Sequence, residues 1–279
     1  MKKLLCLVLT AVLIISFFGC GDVKGERKAS ELQLDIKNGS LYGLTLGMSF
    51  EEFIRSDILD RKSLSADGVI QEWDYYEVDA MPDGGIGLCG YPVNIFMYYK
   101  GDELYYINMN AMLELVKPTD NYKKIDKIFA EAADTVENSL TDIAGTPHLE
   151  LRETLGGYIY PKDDDKNAVT EIVYFIKDGK VLDGEVPLTG ATDVPEDVFK
   201  QTDYDYAIIY YARKASVSAT RDEKKLTDAG RIELGIYTKE AITDRPDRDA
   251  YFNLKFQEWV SMGSPWKPGI DDVIEHVLN

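Results

Sequence analysis

The sequence predicts an α+β fold, in which a largely antiparallel β-sheet packs against a few helices. Strand-like runs rich in Ile, Val, Tyr and Phe follow one another closely and are joined by turn signals such as Gly101-Asp102 and Asp178-Gly179. Two longer segments instead carry apolar residues at helical spacing. Because helices do not alternate with strands throughout the chain, the pattern disfavours a parallel α/β sheet.

Residues 1–19 have the layout of an export signal. Two lysines precede an almost unbroken apolar run, residues 4–18. This run is shorter than the ~20 apolar residues that a membrane-spanning helix needs, and it has the length of a secretory signal core. We predict a signal peptide over 1–19. Retention of the segment as a membrane anchor and cleavage without lipid beside Gly19 or Gly21 are the alternatives.

Cys20 follows the apolar run directly. The Gly19-Cys20 pair resembles the lipobox of bacterial lipoproteins, although Phe17 and Phe18 stand where such boxes usually carry Leu and then Ala or Ser. The resemblance implies that Cys20 becomes the lipidated N-terminal residue. The protein would then be anchored by lipid to the cell membrane, facing outside the cytoplasm.

The charge balance agrees with attachment through lipid. The chain has 31 basic and 49 acidic residues, and removal of Lys2 and Lys3 with the signal leaves 29 against 49, a net charge of −20. Such a chain repels phosphate backbones, so we expect no nucleic-acid partner. Two acyl chains on one cysteine give durable membrane attachment without help from electrostatics.

The cysteines predict no disulfide framework. Cys6 lies within the signal, and Cys89 has no partner if Cys20 carries lipid. We predict a flexible tether over 20–31 and an α+β domain over 32–279. The alternative is a division of this domain into two units at about residue 117, giving 32–117 and 118–279.

The first helix has the clearest start signal in the domain. A strand over 32–36 and a strand-like run over 42–46 precede Gly47, a turn residue. Ser49 and Glu52 form a capping box, in which each side chain accepts a hydrogen bond from the other residue's backbone. The spacing places four apolar residues on one helix face: Phe50, Phe53, Ile54 and Ile58. The charged segment 58–68 is expected to be a loop.

The remaining elements follow from periodicity and turn residues. A strand over 69–78 and a hairpin of 93–100 with 103–110 precede a long helix over 121–143, which Gly145 and Pro147 end. Further strands are predicted over 157–160, 168–177, 204–213, 231–238 and 250–260, with a last helix over 271–278. The polar segments 181–200 and 216–227 are expected to be connections.

One stretch resembles a known group of proteins. "GLTLGMSFEEF" is similar to the opening of bacterial envelope lipoproteins with an SmpA/BamE-like or BLIP-like fold, and the matching residues are Gly43, Leu44, Leu46, Gly47, Met48, Ser49, Glu51 and Glu52. The helix before Gly145 and Pro147 looks like a second hallmark. The resemblance covers roughly residues 41–174. It implies an exported scaffold that binds other macromolecules, and it carries over no catalytic residues.

No motif in the sequence is a complete catalytic or cofactor site. Gly85 to Gly90 reads G-x-G-x-x-G, but no helix follows it to receive a pyrophosphate. Asp163, Asp164 and Asp165 lack the glycine and glutamate of a calcium loop, so a solvated turn is favoured over a cation site. We therefore predict no cofactor and no metal site.

His148 and His276 are the two histidines of the chain, and neither belongs to a zinc-hydrolase motif. Either could serve as a general base, but surface or capping roles are commoner. With 49 acidic residues, the sequence does not test whether two carboxylates form a glycosidase pair.

The tyrosines are the remaining lead to function. The chain has 18 of them, and several occur as doublets: Tyr75-Tyr76, Tyr98-Tyr99, Tyr105-Tyr106 and Tyr210-Tyr211. Adjacent strand residues point to opposite faces, so each doublet should place one ring inward and one outward. We predict a non-enzymatic surface lipoprotein that binds a protein partner through a face of its sheet. The alternative is an envelope glycan hydrolase or glycan-binding protein that uses paired carboxylates and aromatic residues.

Overall fold

The computed structural model describes residues 22–28, 30–66, 75–82, 86–153, 169–184, 196–215, 225–243 and 270–278. The predicted signal peptide, Cys20, the Asp163–Asp165 cluster and the predicted strands 157–160 and 250–260 lie outside the described residues.

The described residues form an α+β fold with a mostly antiparallel sheet, which confirms the predicted fold class. The strands are β1 Leu34–Asp35, β2 Ser40–Leu41, β3 Leu44–Thr45, β4 Leu64–Ala66, β5 Tyr75–Ala80, β6 Gly87–Leu88, β7 Tyr91–Pro92, β8 Asn94–Lys100, β9 Glu103–Thr119, β10 Leu149–Glu153, β11 Val169–Lys177, β12 Lys180–Val181, β13 Tyr206–Lys214 and β14 Leu226–Thr238. The α-helices are α1 Phe50–Arg55, α2 Tyr122–Ala144, α3 Glu196–Gln201, α4 Lys239–Thr243 and α5 Ile270–Leu278, and a short 3₁₀ helix covers Arg61–Ser63.

The main sheet has the strand order β10-β11-β13-β14-β9-β8-β5-β4. β12 pairs with the last two residues of β11, Ile176 and Lys177. Every pairing in this sheet is antiparallel. β9 pairs with β8 on one edge and with β14 on the other, where the register shifts on both sides of the Asp228–Glu114 pair. Strands from both sides of residue 117 thus join in one sheet, and the division into two units stays a prediction.

One face of the main sheet, the helix face, carries the main core. The long helix was predicted over 121–143, and α2 confirms it, with Gly145 at its C-cap in the left-handed region at φ 74°. The buried stripe of α2 consists of Ile125, Ile128, Phe129, Ala132, Val136 and Leu140. It packs against inward sheet residues such as Ile107 and Leu234. The Tyr210 hydroxyl donates to the carbonyl oxygen of Ala133 at 3.1 Å, which ties β13 to α2.

The predicted capping box is confirmed. The Glu52 amide donates to Ser49 Oγ at 3.1 Å, and the Ser49 amide donates to Glu52 Oε2 at 2.9 Å. Phe50 is fully buried and meets the Tyr99 ring edge-on, with 5.4 Å between centroids. The helix ends at Arg55, so the prediction that it carries Ile58 is wrong. Ile58 packs on the core from the segment that follows.

Two further expectations about connections are wrong. The segment 58–68 contains a 3₁₀ turn and β4, because β4 gains backbone pairing with β5. The segment 181–200 contains the start of α3, where Phe199 is buried against the Phe175 ring at 5.6 Å. Short polar helices gain their stability from such tertiary packing rather than from propensity.

A second, smaller core lies on the opposite face of the sheet, at the β10-β11-β13 edge. It contains Leu149, Val173, Phe175, Phe199, Tyr204 and Ala207. α3 and α4 supply its outer wall through Phe199 and the partly buried Ile242. The rest of this face, over β8, β9 and β14, carries half-buried aromatic and polar side chains.

A buried ion pair joins α2 to β13. Lys214 Nζ lies 2.8 Å from Asp126 Oδ1, and each side chain is only 3% exposed. Removal of one partner leaves the other charge buried without its counter-ion, which costs far more than an exposed pair contributes.

We predict that Asp126→Asn or Lys214→Met lowers the free energy of unfolding by about 3–5 kcal/mol. The double change Asp126→Leu with Lys214→Met should recover most of that loss, because no unpaired charge remains. Lys127→Ala, which breaks the exposed 3.6 Å pair with Glu131, is the control and should cost less than about 1 kcal/mol. Urea unfolding measures all four variants, and equal small losses in the buried and exposed variants would contradict the assignment.

Candidate functional site

Three tyrosines lie side by side across the face opposite the main core. Tyr98 on β8 pairs with Tyr106 on β9, and Tyr106 pairs with Tyr237 on β14. The Tyr98 and Tyr106 rings are stacked at 5.2 Å and 6°, and the Tyr106 and Tyr237 rings lie 5.2 Å apart at 32°. We call these three residues the tyrosine ladder. Its central ring is only 6% exposed, whereas the outer two are half-buried.

The doublet prediction is confirmed for Tyr98-Tyr99 and Tyr210-Tyr211 and is wrong for Tyr105-Tyr106. Tyr99 and Tyr210 are fully buried on the helix face, and Tyr98 and Tyr211 are partly exposed on the other face. The doublet at Tyr105 and Tyr106 is altered by a register shift, because Tyr99 lies opposite Leu104 while Tyr98 lies opposite Tyr106. The shift leaves Tyr105 as the extra residue of a β-bulge. The side chains of Tyr75 and Tyr76 are outside the described residues.

Polar side chains border the ladder along β9, β13 and β14. Asn108 Nδ2 donates to the Tyr237 hydroxyl at 2.7 Å and lies 3.4 Å from Glu233 Oε2. Arg231 Nε lies 3.1 Å from Glu233 Oε1, and the guanidinium lies over the Tyr211 ring at 5.4 Å. We call Asn108, Tyr211, Arg231 and Glu233 the polar rim. Each of its members is held by a neighbour, so the rim is preorganised.

A cavity of about 570 Å³ opens at the β8–β9 turn, beside the ladder. Its walls include Lys100, Gly101, Glu103, Tyr105, Thr238 and Glu240. Lys100 forms an ion pair with Glu240, and its ammonium lies 5.3 Å from the centre of the Tyr105 ring. Tyr105 lies 6.2 Å from Tyr98 of the ladder, so the cavity and the ladder form one surface. We call the ladder, the polar rim and this cavity together the tyrosine face.

The same side of the sheet also carries two acidic residues on β5. Glu77 and Asp79 lie opposite Tyr98 and Phe96, and both make further polar contacts. A glycosidase needs both carboxylates at an open cleft, where one of them meets a sugar or a water molecule. Glu77 is only 3% exposed, so this pair does not supply such a cleft.

The glycine-rich segment is a tight hairpin. β6 and β7 pair around Cys89 and Gly90, which have φ values of 50° and 99°. Positive φ at both central residues is the geometry of a type I′ turn. A strand rather than a helix follows, so the segment offers no helix N-terminus to a pyrophosphate. This agrees with the interpretation of the segment as a loop between strands.

Cys89 is a free, buried cysteine. Burial raises the pKa of its thiol, although its contact with Ser139 Oγ at 3.5 Å acts in the opposite direction. A buried thiol with a raised pKa is a poor nucleophile. The residue therefore packs as a small apolar group.

The described parts of the chain contain no group of three His, Cys, Asp or Glu side chains that could hold a metal ion. Among the helices that the structure describes, none combines the length and the apolar character needed to cross a membrane.

The two histidines lie apart from the tyrosine face. His276 is an exposed residue of α5. His148 is buried next to β10, where its ring meets Phe175 edge-on at 4.8 Å. Desolvation lowers the pKa of His148 below its ordinary value of 6.5. Its buried position gives a substrate no access, so its use as a general base is disfavoured.

Comparisons of the chain with family models, with curated proteins and with solved structures found no match. The resemblance over residues 41–174 is therefore a prediction from the residues alone. The register that aligns Tyr98, Tyr106 and Tyr237 is set by pairing between distant strands, and the doublets at Tyr98 and Tyr106 were its only signal in the sequence.

We predict that His148 makes stability depend on pH below about 6.5. The unfolded chain takes up a proton near this value and the folded chain only at lower pH, so the free energy of unfolding falls as the pH drops from 6.5 toward the lowered pKa. His148→Phe should flatten this part of the curve, and the exposed His276→Gln should leave it unchanged. Urea unfolding between pH 5 and pH 8 measures the effect, and an unaltered slope in His148→Phe would show the assignment to be wrong.

Proposed function

We propose that this chain is a non-enzymatic surface lipoprotein of a bacterial cell membrane, anchored through Cys20, that binds a protein partner by its tyrosine face. The observation that carries the proposal is the tyrosine ladder with its polar rim. Tyr and Arg are the side chains that dominate binding energy at protein interfaces, and here they lie together on one partly exposed face.

The ring geometry favours a protein over a glycan. A sugar binds an aromatic residue through an open ring face. The Tyr106 ring is flanked by Tyr98 on one side and Tyr237 on the other, and it is nearly inaccessible. The ladder therefore offers ring edges and the exposed parts of its outer rings. These suit side chains and backbone of a protein partner better than stacked sugar rings.

The proposal that the protein is anchored by lipid rests on the sequence before Asp22. The apolar run, the Gly19-Cys20 pair and the acidic composition all support a lipid-anchored location facing outside the cytoplasm. The resemblance to envelope lipoproteins agrees with a binding role, and the buried states of Cys89 and His148 leave these two residues unsuited to catalysis.

Exchange of Cys20 for Ala tests the anchor. The variant should leave the membrane fraction and lose the mass of the acyl chains, because no other covalent lipid site is proposed. Cys89→Ser is the control and should stay with the membrane at the wild-type mass. Membrane retention and an unchanged mass in Cys20→Ala would overturn the lipoprotein proposal.

Site-specific photocrosslinking in intact cells tests the tyrosine face. A photoreactive residue in place of Tyr98 should give a discrete protein adduct. The same residue in place of Asn138, which is exposed on α2, should not. Arg231→Ala should weaken adduct formation by roughly 30-fold if Arg231 is a hot spot worth about 2 kcal/mol.

Equal adducts from both positions would contradict a partner site on the tyrosine face. Release of reducing sugars from cell-envelope glycan by the purified chain would instead favour the hydrolase alternative.

A further inference from the structure

The N-terminal residues of the described chain are fixed to the end of β9. Val23 forms a bridge with Leu115 and is 3% exposed. The Lys24 amide donates to the Glu114 carbonyl at 2.6 Å, and the Val116 amide donates to the Asp22 carbonyl at 3.1 Å. These contacts begin only two residues after Cys20.

This short spacing limits how far the domain can lie from an anchor. Two residues span at most about 7 Å, so a lipid on Cys20 would bring the end of β9 to the membrane surface. We call the surface formed by residues 22–28 and 114–127 the basal end.

The basal end has a local excess of positive charge. Residues 22–28 and 114–127 contain seven basic and five acidic residues, although the whole chain has 31 basic and 49 acidic ones. One of the five acids, Asp126, is buried in its ion pair with Lys214. Lys24, Lys124 and Lys127 form exposed ion pairs, with Glu114, Asp22 and Glu131 respectively, and the pairs of Lys24 and Lys124 lie within the basal end. All seven basic side chains are exposed: Lys24, Arg27, Lys28, Lys117, Lys123, Lys124 and Lys127.

An exposed apolar side chain lies next to one of these lysines. Val116 is 53% exposed and directly precedes Lys117 on β9. Basic side chains next to exposed apolar ones are typical of surfaces that rest on anionic lipid.

We infer that the basal end rests on an anionic lipid surface, and that β9 rises from the membrane and holds the tyrosine ladder away from it. This inference rests on the proposed anchor at Cys20. Ten residues separate Val116 from Tyr106, which places the ladder roughly 33 Å along the strand from the basal end.

The net charge of the rest of the domain strengthens this orientation. The chain carries −18 overall, so the rest of the domain taken together is repelled by anionic headgroups. The repulsion acts within about 10 Å at moderate salt. Contact of the basal end with anionic lipid gains attraction instead.

Fluorescence quenching on vesicles tests the orientation. The full-length lipidated chain, labelled on cysteine at Val116→Cys or Lys180→Cys, is reconstituted with nitroxide-bearing lipid in phosphatidylglycerol-rich or purely phosphatidylcholine vesicles. Lys180 is exposed next to the far end of β11, and the thiol of Cys89 is buried away from the dye. Quenching should be strong at position 116 on anionic vesicles, weaker on phosphatidylcholine and weak at position 180 on both.

Charge reversal supplies the matched control. Lys117→Glu with Lys123→Glu should lower the ratio of docked to undocked domain by about fivefold per lysine. Lys37→Glu with Lys180→Glu has the same change in net charge and should leave quenching at position 116 unchanged.

Where mass spectrometry detects the lipid on Cys20, two results would overturn the orientation: equal quenching at positions 116 and 180, or unchanged quenching after Lys117→Glu with Lys123→Glu. Absence of that lipid would overturn the anchor and the orientation together.

Discussion

The pairing of β9 on both of its edges is the constraint on which the rest of the structure depends. This 17-residue strand lies between β8 and β14, and after the bulge at Tyr105 its residues from Tyr106 to Val116 alternate between the tyrosine face and the helix face. A shift of one residue in either pairing would exchange the two faces, because side chains alternate with a period of two. Burial of Ile107, Met109 and Leu113 against the helix face therefore also fixes where Tyr106 and Asn108 lie.

The two faces of the sheet are stabilised in different ways. On the helix face, α2 and α1 cover apolar residues, and the Asp126–Lys214 pair is enclosed in the same layer. On the other face, among the described residues, the small core under α3 and α4 covers the β10-β11-β13 edge. The central strands of that face rely on ring contacts and on the bonds of Asn108 and Glu233. The side chains there are partly exposed, and their hydrogen-bonding groups are only partly used within the domain. This surface supports the proposal of a binding role.

Sequence reasoning succeeded where local interactions decide the structure. The Ser49–Glu52 capping box, the turn at Gly101-Asp102 and the end of α2 at Gly145 each depend on residues within a few positions of one another. Predictions from the sequence were wrong or missing where contacts between distant residues decide the structure. α3 depends on Phe199 meeting Phe175, and the ladder depends on the register between β8, β9 and β14. The charged residues 22–28 are typical of a tether, yet the backbone of Asp22 and Lys24 finds partners on β9, far along the chain.

Preorganisation connects this architecture to the proposed binding role. Ordering of side chains is one of the main costs of association, and a surface that is already ordered avoids part of it. Tyr106 is held between two rings, and Asn108 links the Tyr237 hydroxyl to the carboxylate of Glu233. The same strand that orders these residues also carries the contacts of Asp22 and Val23 at its other end. A continuous strand between the proposed anchor and the proposed binding face would fix the position of one relative to the other, which a flexible linker would not.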